Sequence, residues 1–76
     1  MTKVTISTVD ERKTIMSNDD VSVKQILEDN GVNYARASVM IDGLMLTPEL
    51  MRQTLTELGA TGDCTIATVV KLDNAA

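Results

Sequence analysis

The fold is decided by residues 37–46, which read ASVMIDGLML. At their centre lies Asp42-Gly43, a preferred pair for a type I′ turn because both central residues of that turn take positive φ. Apolar residues flank the pair on both sides, so the stretch predicts a strand, a two-residue turn and a short second strand. The alternation of side chains along a strand places Val39 and Ile41 on one face of the sheet and Met40 on the other.

A second hairpin is predicted at the start of the chain. Residues 3–9 read KVTISTV and alternate apolar with polar side chains, which is typical of a half-buried strand. Residues 12–17, RKTIMS, resume the strand pattern after a short interruption. Two strands this close pair antiparallel without a crossover. Of the adjacent Ile15 and Met16, we expect Ile15 to face the core.

A helix follows the first hairpin. Ser22 and Gln25 have the spacing of a capping box, in which the serine hydroxyl accepts from the third helical amide and the glutamine reaches back to the Ser22 amide. We expect a helix from Val23 to about Asn30, ended by Gly31 in the left-handed conformation. At roughly two turns this helix is too short to persist alone in water, so it must pack on a sheet.

The second half of the chain predicts another helix and a last strand. Thr47 caps this helix, Pro48 occupies its first position, and apolar side chains recur at helical spacing as far as position 58. Residues 64–72, CTIATVVKL, are dense in β-branched residues and predict a strand. We expect one domain over residues 1–73 and a frayed tail over residues 74–76.

The predicted core is aliphatic and lies between the sheet and the helices. The apolar side chains that the helices offer are Val23, Ile26, Leu27, Leu50, Met51, Leu55 and Leu58. The inward strand positions are Val4, Ile6, Ile15, Val39, Ile41, Leu46, Ile66 and Val70. Burial of each such side chain contributes about 1.5–3 kcal/mol, against ordering costs of similar total size. We therefore expect a net stability of only a few kcal/mol.

The amino-acid composition excludes most kinds of catalytic site. The 76 residues include no His, one Cys and one aromatic, Tyr34, and seven Lys and Arg against eleven Asp and Glu give a net charge of −4. Within one copy, neither a Ser-His-Asp or Cys-His set, nor a four-ligand zinc site, nor a disulfide can form. An acidic chain with one aromatic also lacks the basic footprint and the stacking platform of a nucleic-acid binder. We expect a non-enzymatic protein without catalytic residues, metal or cofactor.

The expected location is the cytoplasm. The N-terminus has no apolar segment behind its positive charge, and no apolar stretch approaches the roughly 20 residues that span a bilayer, so we expect neither a secretory signal nor a membrane partner. An unpaired Cys64 fits a reducing compartment. With Asp63 beside it and no adjacent cation, Cys64 is interpreted as a small strand residue rather than a reactive thiol.

The order hairpin, helix, hairpin, short helix, strand (ββαββαβ) resembles the ubiquitin-like β-grasp fold, an α+β fold. The resemblance is carried by the hairpin that feeds the helix at Ser22-Val23, by the turn within VMIDGLML (39–46), and by the β-branched last strand. It implies a mixed sheet packed on one main helix and a short second helix, with the last strand inserted centrally, beside and parallel to the first. Another small α+β sandwich with the same helix count is the alternative.

The uncovered face of such a sheet is the expected binding site. Met40, Ala67 and Val69 point to it, and Met16 joins them if Ile15 faces inward. Exposed apolar clusters mark interaction sites more often than chance, and methionine adapts to varied partners. Because ubiquitin-like proteins present this face to their receptors, the resemblance implies an adaptor or regulator that binds a protein partner. Homodimerisation through the same face is a further interpretation.

A sulfur carrier or conjugated modifier is the alternative function. Members of the fold with that chemistry end in Gly-Gly, and their terminal carboxylate is adenylated, whereas the last residues here are Asp73-Asn74-Ala75-Ala76. This alternative requires a natural chain that is longer than the present one or is processed later. An edge strand offers another binding route, by strand addition.

Overall fold

A mixed sheet and three short helices make up the structure, a computed structural model that describes residues 1–70. In chain order the elements are β1 (Thr2–Ser7), β2 (Arg12–Ser17), α1 (Val23–Asp29), β3 (Ala37–Ile41), β4 (Leu44–Leu46), α2 (Pro48–Met51), α3 (Leu55–Leu58) and β5 (Asp63–Val70). The predicted end of the domain at residues 71–73, the predicted tail at residues 74–76 and the predicted inward side chain of Val70 lie outside the described part of the chain.

The five strands lie in the order β2-β1-β5-β3-β4. β5 is central and parallel to β1, and the other neighbouring strands are antiparallel. The register sets Ile6 beside Ile66 and Ile66 beside Ile41, so three buried isoleucines cross the middle of the inner face. This arrangement confirms the expected fold class, with the last strand inserted beside the first.

The core fills the space between the inner face of the sheet and the helices. The helical side chains expected there all take part, either buried or packed against the core: Val23, Ile26, Leu27, Leu50, Met51, Leu55 and Leu58. The expected strand positions are buried as well: Val4, Ile6, Val39, Ile41, Leu46 and Ile66. Ile15 packs against this core and Met16 is 59% exposed, which confirms the inward orientation of Ile15.

The hairpin between β3 and β4 closes with the predicted turn. Asp42 and Gly43 both have positive φ, 49° and 87°, which is the pattern of a type I′ turn. The turn is tied to the central strand, because the Thr65 amide donates to Asp42 Oδ1 at 2.9 Å and the Asp42 amide donates to the Thr65 carbonyl at 2.9 Å. A two-residue turn fixes the register, and it sets Met40 opposite Met45.

Only half of the predicted capping box forms at the start of α1. Ser22 Oγ accepts from the Gln25 amide at 3.1 Å, as expected. The Gln25 side chain instead donates to Asp29 Oδ1, one turn later in the same helix, at 2.7 Å. A hydrogen bond to a charged carboxylate is stronger than one to a neutral group, which favours the bond to Asp29. The predicted bond between the Gln25 side chain and the Ser22 amide is therefore wrong.

The single helix predicted between Pro48 and Leu58 is also wrong, because two one-turn helices occupy this stretch. The second of these helices, α3, begins after an N-cap residue, Thr54, that was not predicted from the sequence. Thr54 Oγ1 accepts from the Glu57 amide at 3.1 Å, and Glu57 Oε1 accepts from the Thr54 amide at 3.0 Å. This capping box holds Thr54 in an extended conformation, which stops one helix and starts the next with Leu55 buried in the core.

The strands differ slightly from the predicted bounds at their ends. β1 begins at Thr2 and ends at Ser7, rather than covering residues 3–9, and β5 begins at Asp63. Thr2 is fully buried, and its Oγ1 donates to the Asp19 carboxylate and accepts from the Gly62 amide. These two hydrogen bonds join the start of β1 to the loops that precede α1 and β5, so the strand begins at Thr2.

Candidate protein-interaction surface

The outer face of the sheet, opposite the core, carries a contiguous apolar surface. Strand pairing sets Ala67 of β5 beside Met40 of β3, and Met40 beside Met45 of β4. Val69 lies two residues beyond Ala67 on the same strand and therefore on the same face. We call these four side chains the sheet patch: Met40, Met45, Ala67 and Val69.

No helix seals the sheet patch among residues 1–70. Met45 is 54% exposed and Val69 is 52% exposed, while Met40 and Ala67 in the middle are half-buried. None of the four belongs to the core cluster or to the half-buried residues packed against it, although that cluster includes side chains from all three helices. The helices therefore lie on the inner face, and the sheet patch faces away from them.

Met16 does not join the sheet patch. Its strand pairing sets it beside Lys3, and Lys3 beside Asp63, which is four residues before Ala67 along β5. At strand spacings of about 4.8 Å and about 3.3 Å per residue, two strands and four residues place Met16 about 16 Å from Ala67, the nearest patch member. Met16 is therefore exposed on the same face, as expected, but lies apart from the sheet patch, and its role in protein binding stays a prediction.

Polar side chains occupy the outer face between Met16 and the sheet patch. Lys3 and Asp63 are exposed neighbours, and the hydroxyl oxygens of Thr5 and Thr14 lie 3.4 Å apart across β1 and β2. Thr65 continues this row of threonines on β5. The outer face is thus divided into a polar half over β2, β1 and the start of β5 and an apolar half over the end of β5, β3 and β4.

Solved structures of ubiquitin-like proteins share this architecture. A ubiquitin-like domain of an Arabidopsis thaliana protein matches with a TM-score of 0.73 at 19% sequence identity, over 97% of this chain and 81% of that one. A ubiquitin-like protein from Trypanosoma brucei gives a TM-score of 0.73 at 17% identity, over 92% of this chain and 94% of that one. The ubiquitin of Caldiarchaeum subterraneum gives a TM-score of 0.69 at 11% identity, over 97% of this chain and 98% of that one.

The chain has the ubiquitin-like β-grasp fold. No protein-family model and no curated protein matches its sequence. In this ubiquitin-like domain the sheet patch lies on the face opposite α1, which is the face that the resemblance assigned to receptors.

One member of the sheet patch, Met45, was not predicted from the sequence. The turn at Asp42-Gly43 nevertheless indicates its position. A two-residue turn at Asp42-Gly43 necessarily sets Met40 opposite Met45, and directly opposed residues of antiparallel strands point to the same face. Met45 is as exposed as Val69 and lies on an edge strand, so it widens the apolar surface toward the edge of the sheet.

Two side chains of the described residues, Cys64 and Tyr34, have a raised pKa. Cys64 is buried on the inner face, and burial, with the charges of Asp42 and Asp63 adding to it, raises the pKa of its thiol to about 11. A thiol that stays protonated at neutral pH is a poor nucleophile, as expected from the sequence. The pKa of Tyr34 is also raised, by partial burial and by its hydrogen bond to Glu28.

Residues 1–70 hold neither a metal-binding cluster nor a membrane-spanning helix. No group of three or more acidic or Cys side chains is arranged to hold a metal ion there. No helix in this part of the chain has the length and apolar character needed to cross a bilayer.

Proposed function

We propose that this ubiquitin-like domain is a non-enzymatic adaptor or regulator that binds a protein partner through the sheet patch. The observation that supports the proposal is the contiguity of Met40, Met45, Ala67 and Val69 on a face that no helix of residues 1–70 covers. A contiguous apolar cluster exposed to water is unfavourable for a lone domain, and such clusters are more often binding sites than scattered single residues are.

The composition of the sheet patch defines the partner surface that would fit it. Two methionines supply flexible, polarisable side chains that adjust to the shape of a partner, and the Ala67 side chain beside Met40 is small. The neighbouring polar half of the sheet supplies the rim of hydroxyls and opposite charges that surrounds the apolar centre of an interface. The partner is expected to present one or two large apolar side chains that enter between Met40 and Val69.

The alternative function, a sulfur carrier or conjugated modifier, acts through a C-terminal carboxylate. The C-terminus lies outside the described residues, so no contact or distance of the structure supports that alternative. Homodimerisation is the case in which a second copy of this chain, rather than another protein, binds to the sheet patch. A measurement of the protein's mass in solution distinguishes the two cases.

The experiment is a comparison of Met40→Asp with Met16→Asp. The two variants make the same substitution at methionines of the same sheet face, which lie about 20 Å apart, so Met16→Asp is the matched control. Partners are captured from native cell extract on wild-type protein, and the dissociation constant of the purified partner is then measured for each variant.

Met40→Asp is expected to weaken binding by at least tenfold, because the interface would bury an unpaired carboxylate. Met16→Asp is expected to leave the dissociation constant within about twofold. Equal effects of the two variants, or none from Met40→Asp, would contradict the proposal. Sedimentation equilibrium shows whether the wild type self-associates and whether Met40→Asp abolishes that association.

A further inference from the structure

A groove that adjoins the sheet patch at Met45 runs between α1 and the edge formed by β3 and β4. It has a volume of about 560 Å³, within the usual range of ligand-binding clefts. Its apolar lining comes from the core side, with Val39, Leu46 and Met51, and from Tyr34 and Pro48 at the surface. A cleft with this lining accepts an apolar side chain.

The charges along the groove are of one sign. Lys24 of α1 and Arg52 at the end of α2 both line it, and within residues 1–70 no Asp or Glu does. Both cations are exposed, and the ion pairs found within residues 1–70 involve neither of them. Glu28 approaches through the Tyr34 hydroxyl, which donates to it at 3.1 Å, and so is already engaged. On a chain of net charge −4, this groove is a local exception.

The same groove reaches the part of β3 that lies beyond β4. β4 pairs with β3 only at Val39, Met40 and Ile41, so Ala37 and Ser38 extend past the end of β4. Both of these residues line the groove. The Ala37 amide already donates to the Tyr34 carbonyl at 3.2 Å, so an extended peptide here would lie along the groove without adding a full strand to the sheet.

We infer that this groove binds an extended acidic peptide segment of a protein partner. Carboxylates of the segment pair with Lys24 and Arg52, and an apolar side chain between them enters the cleft over Met51. The groove and the sheet patch share Met45, whereas Met40 does not line the groove and neither cation lies on the outer face of the sheet. Variants of the two cations therefore test the groove, and Met40→Asp tests the sheet patch.

The test is selection from a random peptide library displayed on phage, using the full chain as bait. The enriched peptide is then synthesised, and its dissociation constant is measured by fluorescence anisotropy against four proteins. These are the wild type, Lys24→Glu/Arg52→Glu, Lys3→Glu/Arg12→Glu and Met40→Asp. The two double variants change the net charge equally, and Lys3 and Arg12 lie on the outer sheet face away from the groove. Far-UV circular dichroism confirms that each variant is folded, and Lys24→Gln/Arg52→Gln replaces the reversal if it is not.

The enriched peptides are expected to carry at least two carboxylates around an aliphatic or aromatic residue. The Lys24→Glu/Arg52→Glu variant is expected to weaken binding about tenfold, and the other two variants by less than about twofold. Amide resonances of residues 37–38 and 51–52 are expected to shift on titration. Selection of basic peptides, no enrichment, or equal losses from both double variants would overturn the inference. Self-association of the wild type that only Lys24→Glu/Arg52→Glu abolishes would also overturn it, because the occupant would then be a second copy. Amide shifts of equal size with inorganic phosphate would overturn it as well.

Discussion

One face of the sheet is buried and the other is open. A valine-to-threonine substitution is therefore predicted to destabilise the protein strongly on the buried face and little on the open face. Val4 is fully buried on β1 between Ile15 and Cys64, whereas Val69 is 52% exposed on the other face of β5. Replacing either with threonine keeps the size and the β-branched shape and adds one hydroxyl. At Val4 that hydroxyl is buried among apolar neighbours, which costs about 1–3 kcal/mol, whereas at Val69 water solvates it and the change stays within about 0.5 kcal/mol.

Urea unfolding followed by far-UV circular dichroism measures this difference. For a domain of this size the slope is about 1 kcal/mol/M, so Val4→Thr is expected to lower the midpoint by about 1–3 M and Val69→Thr by less than about 0.5 M. The two proteins are expected to have the same slope, because neither substitution changes the surface exposed on unfolding. Equal midpoint shifts, or a larger shift for Val69→Thr, would refute the assignment of the two faces.

Four further predictions concern Cys64, Thr54 and Gly43. Cys64 is expected to resist thiol reagents at about pH 8 in the native protein and to react within seconds in urea. Because folding raises its pKa to about 11, the free energy of unfolding is expected to fall as pH rises from about 9 to 11, and Cys64→Ala should remove this component of the pH dependence measured by urea titration. Thr54→Ala is expected to destabilise the domain by about 1 kcal/mol by thermal or urea unfolding, since it removes the capping box, whereas Thr54→Ser should retain most of the stability. Gly43→Val is expected to cost at least about 1 kcal/mol, because φ is +87° there, and an unchanged urea midpoint would exclude the turn geometry.

Much of the fold could be predicted because local and long-range signals agree. The Asp42-Gly43 pair fixes both the turn and the register of β3 with β4, and the Ser22 cap fixes where α1 starts. The division of residues 48–58 into two helices was missed because the apolar spacing there is compatible with one helix. The competing signal, threonine at 54 and glutamate three residues later, is a capping box in the sequence and decides the outcome.

The candidate site was predicted only in part, because membership of a surface cluster depends on strand order as well as on which face a residue occupies. Alternation assigns Met16 and Met40 to the same face, but only the pairing of β5 between β1 and β3 sets them far apart. Met45 was predictable from the turn register alone. The groove at Lys24 and Arg52 was not predictable, because it joins a helix, a loop and a strand edge that are distant along the chain.

The most direct test of the proposed binding face uses the methionines themselves as probes. The ε-methyl groups are labelled with ¹³C, assigned by single Met→Leu substitutions, and observed by NMR while the purified protein partner is added. We predict that the resonances of Met40 and Met45 shift or broaden on binding, and that those of Met16, on the polar half of the sheet, and Met51, in the core, stay in place. Movement of Met16 without Met40 and Met45 would contradict binding through the apolar half of the sheet.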